Sequence, residues 1–294
     1  MENMTAKVSC FARAYHYKNN DCHVFKDGMA EKLLGEHDYQ MVAENMAQGI
    51  AFFAPGFRGT KEEALRFIVD NQLSPSVLAR SAFCEQHLKN ECALGCGQYI
   101  IFAAGYDTFA FREEVPGLTV YHLDLPEMIA DRRERAERYG LSYHTKAYDI
   151  SCDLSQDTFC ARMSECGFDN AKKTFGSLLG ISYYLTKEDF QRLTGTISGL
   201  MPEGSAICMD YPLVDTGTES EKNRELAGAA NEQMKARYNY NEMERLLAAA
   251  GFRIYEHLDA KEMTKQYFGD YNSNNPEHIM KAPGGVGYLL AVKK

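Results

Sequence analysis

The sequence has no surplus of basic residues. Its 32 lysines and arginines face 41 aspartates and glutamates, for a formal net charge of −9. Sequence-independent binding to nucleic acid needs a basic surface to displace counterions, so the charge argues against that class. Docking on an anionic membrane is disfavoured for the same reason. No apolar run approaches the roughly 20 residues of a membrane helix. Met1 to Cys10 also lacks the charged-then-apolar pattern of a signal peptide. Both absences predict a cytoplasmic protein. Internal repeats and low-complexity tracts are missing too, and prolines number only 8.

What is present is ordinary for a globular chain. Of the 294 residues 45% are hydrophobic and 25% charged, enough to build a sizeable core, as one large domain or two small ones. The 9 cysteines are an odd number without the spacing of a secreted disulfide framework, which predicts reduced thiols. Cys84, His87, Cys92 and Cys96 crowd together, but their spacing matches neither paired CxxC knuckles nor a Cys2His2 finger. That stretch carries apolar residues at helical intervals, so buried small thiols are the preferred reading and no metal is expected.

Up to about Gly95 the apolar periodicity is helical, over Ala30–Leu34, Tyr39–Phe53 and Thr60–Leu73. Thr60 with Glu62 and Glu63 is a helix start, and Ser74-Pro75 opens the next helix. At Gln98 the period changes. Tyr99-Ile100-Ile101-Phe102 is a short apolar run bounded by Ala103-Ala104-Gly105, the pattern of a strand buried on both faces. Strands are then predicted at Leu118–Leu123, Ser142–Tyr148, Phe175–Ile181 and Ser205–Tyr211, with helices between them. Alternation of this kind indicates a parallel sheet whose carboxyl edge binds ligands. A helix at Asn241–Ala250 and strands at Phe252–Leu258 and Gly287–Val292 complete the pattern, the last two separated by a long polar segment.

The loop after the first strand is built of small residues, which let a backbone turn tightly and approach a ligand. Asp124 follows the second strand, 19 residues beyond Gly105. A carboxylate there either accepts hydrogen bonds from ribose hydroxyls or caps the helix opening at Pro126. A pyrophosphate site wants GxGxxG; here Gly105 is followed by Tyr106, Asp107 and Thr108, and Asp107 puts negative charge where a pyrophosphate would lie. S-adenosylmethionine, a sulfonium without phosphate, is therefore favoured over NAD. An NAD-linked oxidoreductase is kept as the lesser alternative.

Gln98 to Arg112, QYIIFAAGYDTFAFR, resembles the GAGxDTRxxR signature of leucine carboxyl methyltransferases and their bacterial relatives. Four further blocks match in the family's order: Ala12-Arg13-Ala14 with Val24 to Ala30, Leu78 to Phe83, Tyr121 to Pro126, and Gly180 to Thr186. The resemblance implies an α/β, Rossmann-like class I methyltransferase with a seven-stranded, mostly parallel sheet. Residues 1–95 would form an N-terminal helical cap on a 96–294 methyltransferase domain, with a helical insertion near 213–238. It further implies that Arg80 holds the methionine carboxylate of S-adenosylmethionine and that Ala103, Ala104, Gly105 and Tyr106 pass under methionine and ribose. Asp124 would bind the ribose hydroxyls, Leu125 would lie against adenine, and Asp149 and Ile150 would contact the adenine amino group and ring. Leu179 would lie near the reacting methyl. Three positions depart from the pattern: Ala103 replaces the first glycine, Phe109 an arginine, and Leu179 a glutamate.

The function so implied is transfer of a methyl group to a carboxylate or hydroxyl oxygen of a small molecule. Binding of the cofactor without catalysis is the alternative raised by those departures. Arg13, Tyr183, Tyr184 and Tyr211 are candidates for the acceptor pocket, against core packing for the tyrosines and a surface charge for Arg13. No residue is assigned as a general base: an ionised carboxylate acceptor needs none, an alcohol or phenol would need one, and no histidine falls at a strand end facing the methyl. The aromatic segment Tyr267 to Tyr271 reads either as a lid or as a packed loop.

Overall fold

The structure, a computed structural model, describes residues 3–156, 159–214 and 234–294. The expected insertion near 213–238 falls mostly outside these residues. Its two ends, Leu213 and Tyr238, pair in a parallel bridge.

Before the sheet come helices α1 (Met4–Lys18), α2 (Ala30–Leu34), α3 (Glu36–Gln48), α4 (Ile50–Phe53), α5 (Lys61–Ile68) and α6 (Ser74–Ala93). The single helix predicted over Tyr39–Phe53 is broken at Gly49, whose backbone N–H closes the first helix. Thr60 caps α5 through a reciprocal capping box with Glu63. From there to α6 the chain widens into one π-turn, Val69–Leu73, which admits Pro75 into the first turn of α6 without a break.

The sheet has seven strands: β1 (Gln98–Phe102), β2 (Thr119–Asp124), β3 (Ala147–Ser151), β4 (Thr174–Leu178), β5 (Ala206–Pro212), β6 (Phe252–Leu258) and β7 (Val286–Lys293). Their order is β3-β2-β1-β4-β5-β7-β6, parallel except for β7, which runs antiparallel to both neighbours. This is the mostly parallel, Rossmann-like α/β sheet expected. Between the strands lie α7 (Phe109–Arg112), α8 (Pro126–Arg138), α9 (Phe159–Glu165), α10 (Lys187–Leu200) and α11 (Tyr240–Ala249). The polar stretch between β6 and β7 is not a loop; it holds α12 (Ala260–Tyr267) and α13 (Gly269–Asn274). Asp259 caps α12 in a second capping box. The aromatic segment there is packed, with Phe268 and Tyr271 buried, so it is no lid.

Alternate residues of each strand face opposite layers. Tyr99, Ile101, Val120 and Phe175 point to one side, against Leu78, Phe83 and Leu88 of α6. Ile100, Phe102, Tyr121 and Ile207 point to the other, against Phe190, Leu193 and Ile197 of α10. So α6, although it precedes the sheet, covers one of its faces. A third cluster joins Phe11, Leu33, Tyr39 and Val42 of the first helices to Tyr106, Phe111 and Met128 around the β1 and β2 ends.

The third strand differs from its prediction over Ser142–Tyr148. Tyr143 turns back to pack on Phe111, with ring centroids 4.5 Å apart, and the strand begins only where Ala147 meets Val120. It therefore ends at Ser151, and Asp149 and Ile150 lie within it rather than after it.

Candidate functional site

The carboxyl ends of β1, β2 and β4 open into a cavity of about 450 Å³ roofed by α1 and flanked by α6. That size suits a small ligand. Its floor is the loop after β1. Ala103 is left-handed (φ +54°) and so is Gly105 (φ +51°), which folds the backbone sharply beneath the opening. Three backbone donors of the loop are tied down. Ala104 N–H donates to the Leu123 carbonyl (3.0 Å), Gly105 N–H to Asp124 Oδ2 (2.7 Å) and Asp107 N–H to the Ala104 carbonyl (2.9 Å).

Asp124 ends β2 beside this loop. Its Oδ1 accepts from Leu125 N–H (2.8 Å) and its Oδ2 from Gly105 N–H. Each oxygen retains lone-pair capacity on the cavity side, as two hydroxyl donors would need. Burial pushes its pKa above the usual carboxylate value, against the two N–H groups and Arg132. Leu125 is exposed alongside and does not line the cavity.

At the other end stand two guanidinium groups. Arg80 of α6 reaches Ser9 Oγ (3.4 Å) and sits 3.5 Å from Asp210 Oδ2. Asp210 is fully buried on β5 and accepts from Gly180 N–H (2.6 Å) and Tyr183 OH (3.0 Å). Gly180 has φ +69°, and a Cβ there would meet Arg80 Nη1 at 2.6 Å. The tight turn after β4 thus exists only because Gly180 leaves room for that guanidinium. Arg13 of α1 lines the cavity but is anchored, donating to Asp27 Oδ2 (2.8 Å) and to the Tyr106 carbonyl (2.7 Å). Asp27 also accepts from Thr108 Oγ1 (2.7 Å). Burial raises the pKa of Asp27, but Arg13 and Arg112 outweigh it and hold the carboxyl ionised below its usual range.

The structure brings Arg80, Ala103, Ala104, Gly105, Tyr106, Asp124, Leu179 and Arg13 to one cavity, and Tyr184 with them. It does not bring Tyr183, whose hydroxyl is committed to Asp210, or Tyr211, whose hydroxyl lies 2.9 Å from His257 Nε2. Asp149 and Ile150 are likewise not at the cavity. Asp149 pairs in register with His122 across β2 and β3, and its carboxylate is shared by His122, Arg132, Arg133 and Tyr143. Ile150 is core. With β3 ending at Ser151, the residues at its carboxyl end are Cys152, Asp153 and Leu154. Phe109, where the signature has arginine, is buried on Tyr99 with ring centroids 5.4 Å apart. Of the four residues weighed as a metal site, Cys84 faces Tyr99, His87 faces Glu256, and Cys96 donates to the Gln98 carbonyl with only Cys92 beside it.

Sequence reasoning missed Thr5, Ala6 and Ser9 of α1, and Ser177 and Lys235. Only a three-dimensional arrangement brings them in. Asp210 carried a faint signal, a charge inside an otherwise apolar strand.

Comparison with known proteins bears on the lineage and the fold. Residues 6–198 match the model of the leucine carboxyl methyltransferase family. YktD of Bacillus subtilis, inferred to be an S-adenosyl-L-methionine-dependent methyltransferase, is 33% identical over 99% of this chain and 98% of its own. A DUF574 family protein from Streptomyces avermitilis superposes over 99% of this chain and 97% of its own, with a TM-score of 0.62 and 12% identity. Magnesium protoporphyrin IX methyltransferase from Synechocystis, solved with S-adenosylhomocysteine, does so over 85% and 94%, with a TM-score of 0.50 and 11% identity. The two superpositions share the fold; the sequence match over most of the chain carries the lineage, and this chain belongs to the leucine carboxyl methyltransferase family.

Proposed function

We propose that the chain is an S-adenosylmethionine-dependent methyltransferase acting on an oxygen of a small molecule, with a carboxylate as the preferred acceptor. The observation that carries this reading is the polarity of one cavity: a buried carboxylate with spare acceptor capacity at one end, a guanidinium at the other, and a left-handed loop between. That arrangement suits a ligand with a ribose diol at one end and an amino-acid carboxylate at the other. It does not suit a pyrophosphate, because the N–H of Phe109 at the start of α7 is taken by Asp107 Oδ1 (2.8 Å).

In this reading Asp124 accepts from the ribose hydroxyls, Arg80 pairs with the methionine carboxylate, and Leu125 offers an exposed apolar face to adenine. The adenine edge falls to Asp153 and Leu154, just beyond the end of β3 at Ser151. S-adenosylmethionine supplies, when bound, a methyl group on a positively charged sulfur. The chain's own task is to align the acceptor and exclude water. Among the described residues no histidine lines the cavity. His122 is buried behind the loop and held neutral by burial and by Arg132. An acceptor that arrives already ionised fits that lack of a base.

Isothermal titration with S-adenosylhomocysteine tests the cofactor half; absence of heat at high protein concentration would sink it. Transfer of labelled methyl to a panel of carboxylic acids and phenols tests the acceptor half. The second reading, cofactor binding without transfer, is favoured by Leu179, which puts an apolar side chain where the family has a glutamate. Binding with no transfer to any member of the panel would decide for it.

A further inference from the structure

Three consecutive carbonyls of the β1 loop each meet an arginine. Arg132 Nη1 donates to the carbonyls of Gly105 (3.3 Å) and Asp107 (2.5 Å) from below, and Arg13 Nη2 donates to that of Tyr106 (2.7 Å) from the α1 side. Arg132 is fully buried. Its other faces meet His122 Nε2 (3.3 Å), Asp149 Oδ1 (3.6 Å) and the Phe111 ring (5.1 Å). His122 Nδ1 in turn lies 3.1 Å from the same Asp149 oxygen.

Burying a guanidinium costs several kcal/mol unless it is paired and hydrogen-bonded. Here the whole arrangement converges on the loop. The adjacent turn of α8 adds to it, since Asp131 accepts from Tyr106 OH. Nη1 bridges the two carbonyls while Nη2 meets His122 and the guanidinium plane lies over Phe111, a combination that lysine does not reproduce. The loop also lacks the first glycine of the family signature, so its left-handed turn at Ala103 is not held by residue type alone.

We infer that Arg132 is a positioning residue for cofactor binding, fixing the floor of the site by clamping the Gly105 and Asp107 carbonyls while Arg13 holds the one between. The inference rests on the proposed reading of this loop as the cofactor floor. Lining the cavity is no part of Arg132's role; it acts entirely through the loop.

The test measures S-adenosylhomocysteine affinity and backbone amide exchange in the wild type, Arg132→Met and Arg132→Lys. Arg132→Met is expected to bind about 10- to 100-fold more weakly, the range of one or two lost charge-assisted hydrogen bonds. Its ligand-free exchange should rise within residues 103–109 and not in β1 or β2. Arg132→Lys, keeping the charge and one donor arm, should recover part of the affinity. Affinity within threefold of the wild type, or exchange rising equally through β1 and β2, would overturn the proposal. Should Arg132→Met not fold, Arg132→Lys bears the test alone: a several-fold loss with faster exchange supports it and unchanged values overturn it. A wild type that binds no S-adenosylhomocysteine refutes the reading of the site instead, while the exchange data still report on the clamp.

Discussion

Among the described residues, Ala103 is the only non-glycine with a positive φ. An L-residue there costs about 1–2 kcal/mol, whereas glycine would give back about 0.4–1 kcal/mol through unfolded-state entropy. Ala103→Gly is therefore expected to raise stability by about 0.5–1 kcal/mol, read as a small rise in thermal midpoint; a lower midpoint would show that no strain resides at this turn. His16 gives a prediction in pH. It is fully buried, and its Nε2 accepts from Val24 N–H at 2.9 Å. Burial, with His23 and Arg66 nearby, pushes its pKa down to about 3. The unfolded chain takes up a proton near 6.5 that the folded chain refuses, so this contribution is complete above about pH 6.5 and is lost as pH falls toward 3. The slope is at most about 1.4 kcal/mol per pH unit. Urea unfolding of the wild type and His16→Gln at pH 7.5 and 5 checks it: the variant should lose less stability between the two. Equal losses would contradict the assignment. Residue identities in the site were legible at Arg80, Asp124 and the Ala103–Tyr106 turn, because each stands next to a strand end or within a spaced block.

At the scale of elements, each misreading has a local cause. Gly49 breaks a helix that periodicity alone would continue, and Tyr143 leaves the third strand to pack on Phe111. That shift made Asp149 read as a residue just past the strand, whereas the sheet register commits it to His122. Tyr183 and Tyr211 are acceptor-pocket candidates by sequence, but their hydroxyls meet Asp210 on β5 and His257 on β6 within the core. The turn after β4 supports a sharper prediction. Gly180→Ala would place a methyl 2.6 Å from Arg80 Nη1 and should weaken S-adenosylhomocysteine binding at least about tenfold, a loss of roughly 1.4 kcal/mol. Gly140, also at positive φ but with open space around it, is the control: Gly140→Ala should lower stability and leave affinity unchanged. If both variants bind alike, Arg80 is not placed by this turn.

At the scale of the whole molecule, ligand binding to the folded chain raises its stability by mass action. At 100 times the dissociation constant, S-adenosylhomocysteine should add about 2.7 kcal/mol, a rise of several degrees in the thermal midpoint. NAD at the same multiple of a typical dehydrogenase affinity should add nothing. The reverse result would restore the oxidoreductase reading. The Asp124→Ala variant should lose most of the shift, because the carboxylate organises both the Gly105 turn and the ribose side of the cavity.

The sequence alone determined the parallel sheet, the order of its strands along the chain, and the family signature. These depend on local periodicity, turn residues and spacing, all written in consecutive positions. The antiparallel β7 between β5 and β6, the placement of α6 on the sheet and the choice of which polar residues face the cavity were decided only by tertiary structure. The physical reason lies in how buried polar groups behave. Each needs a partner, and the partners of Asp149, Tyr183, Asp210 and Arg13 come from elsewhere in the chain: the next strand, the turn after β4, and the loop after β1.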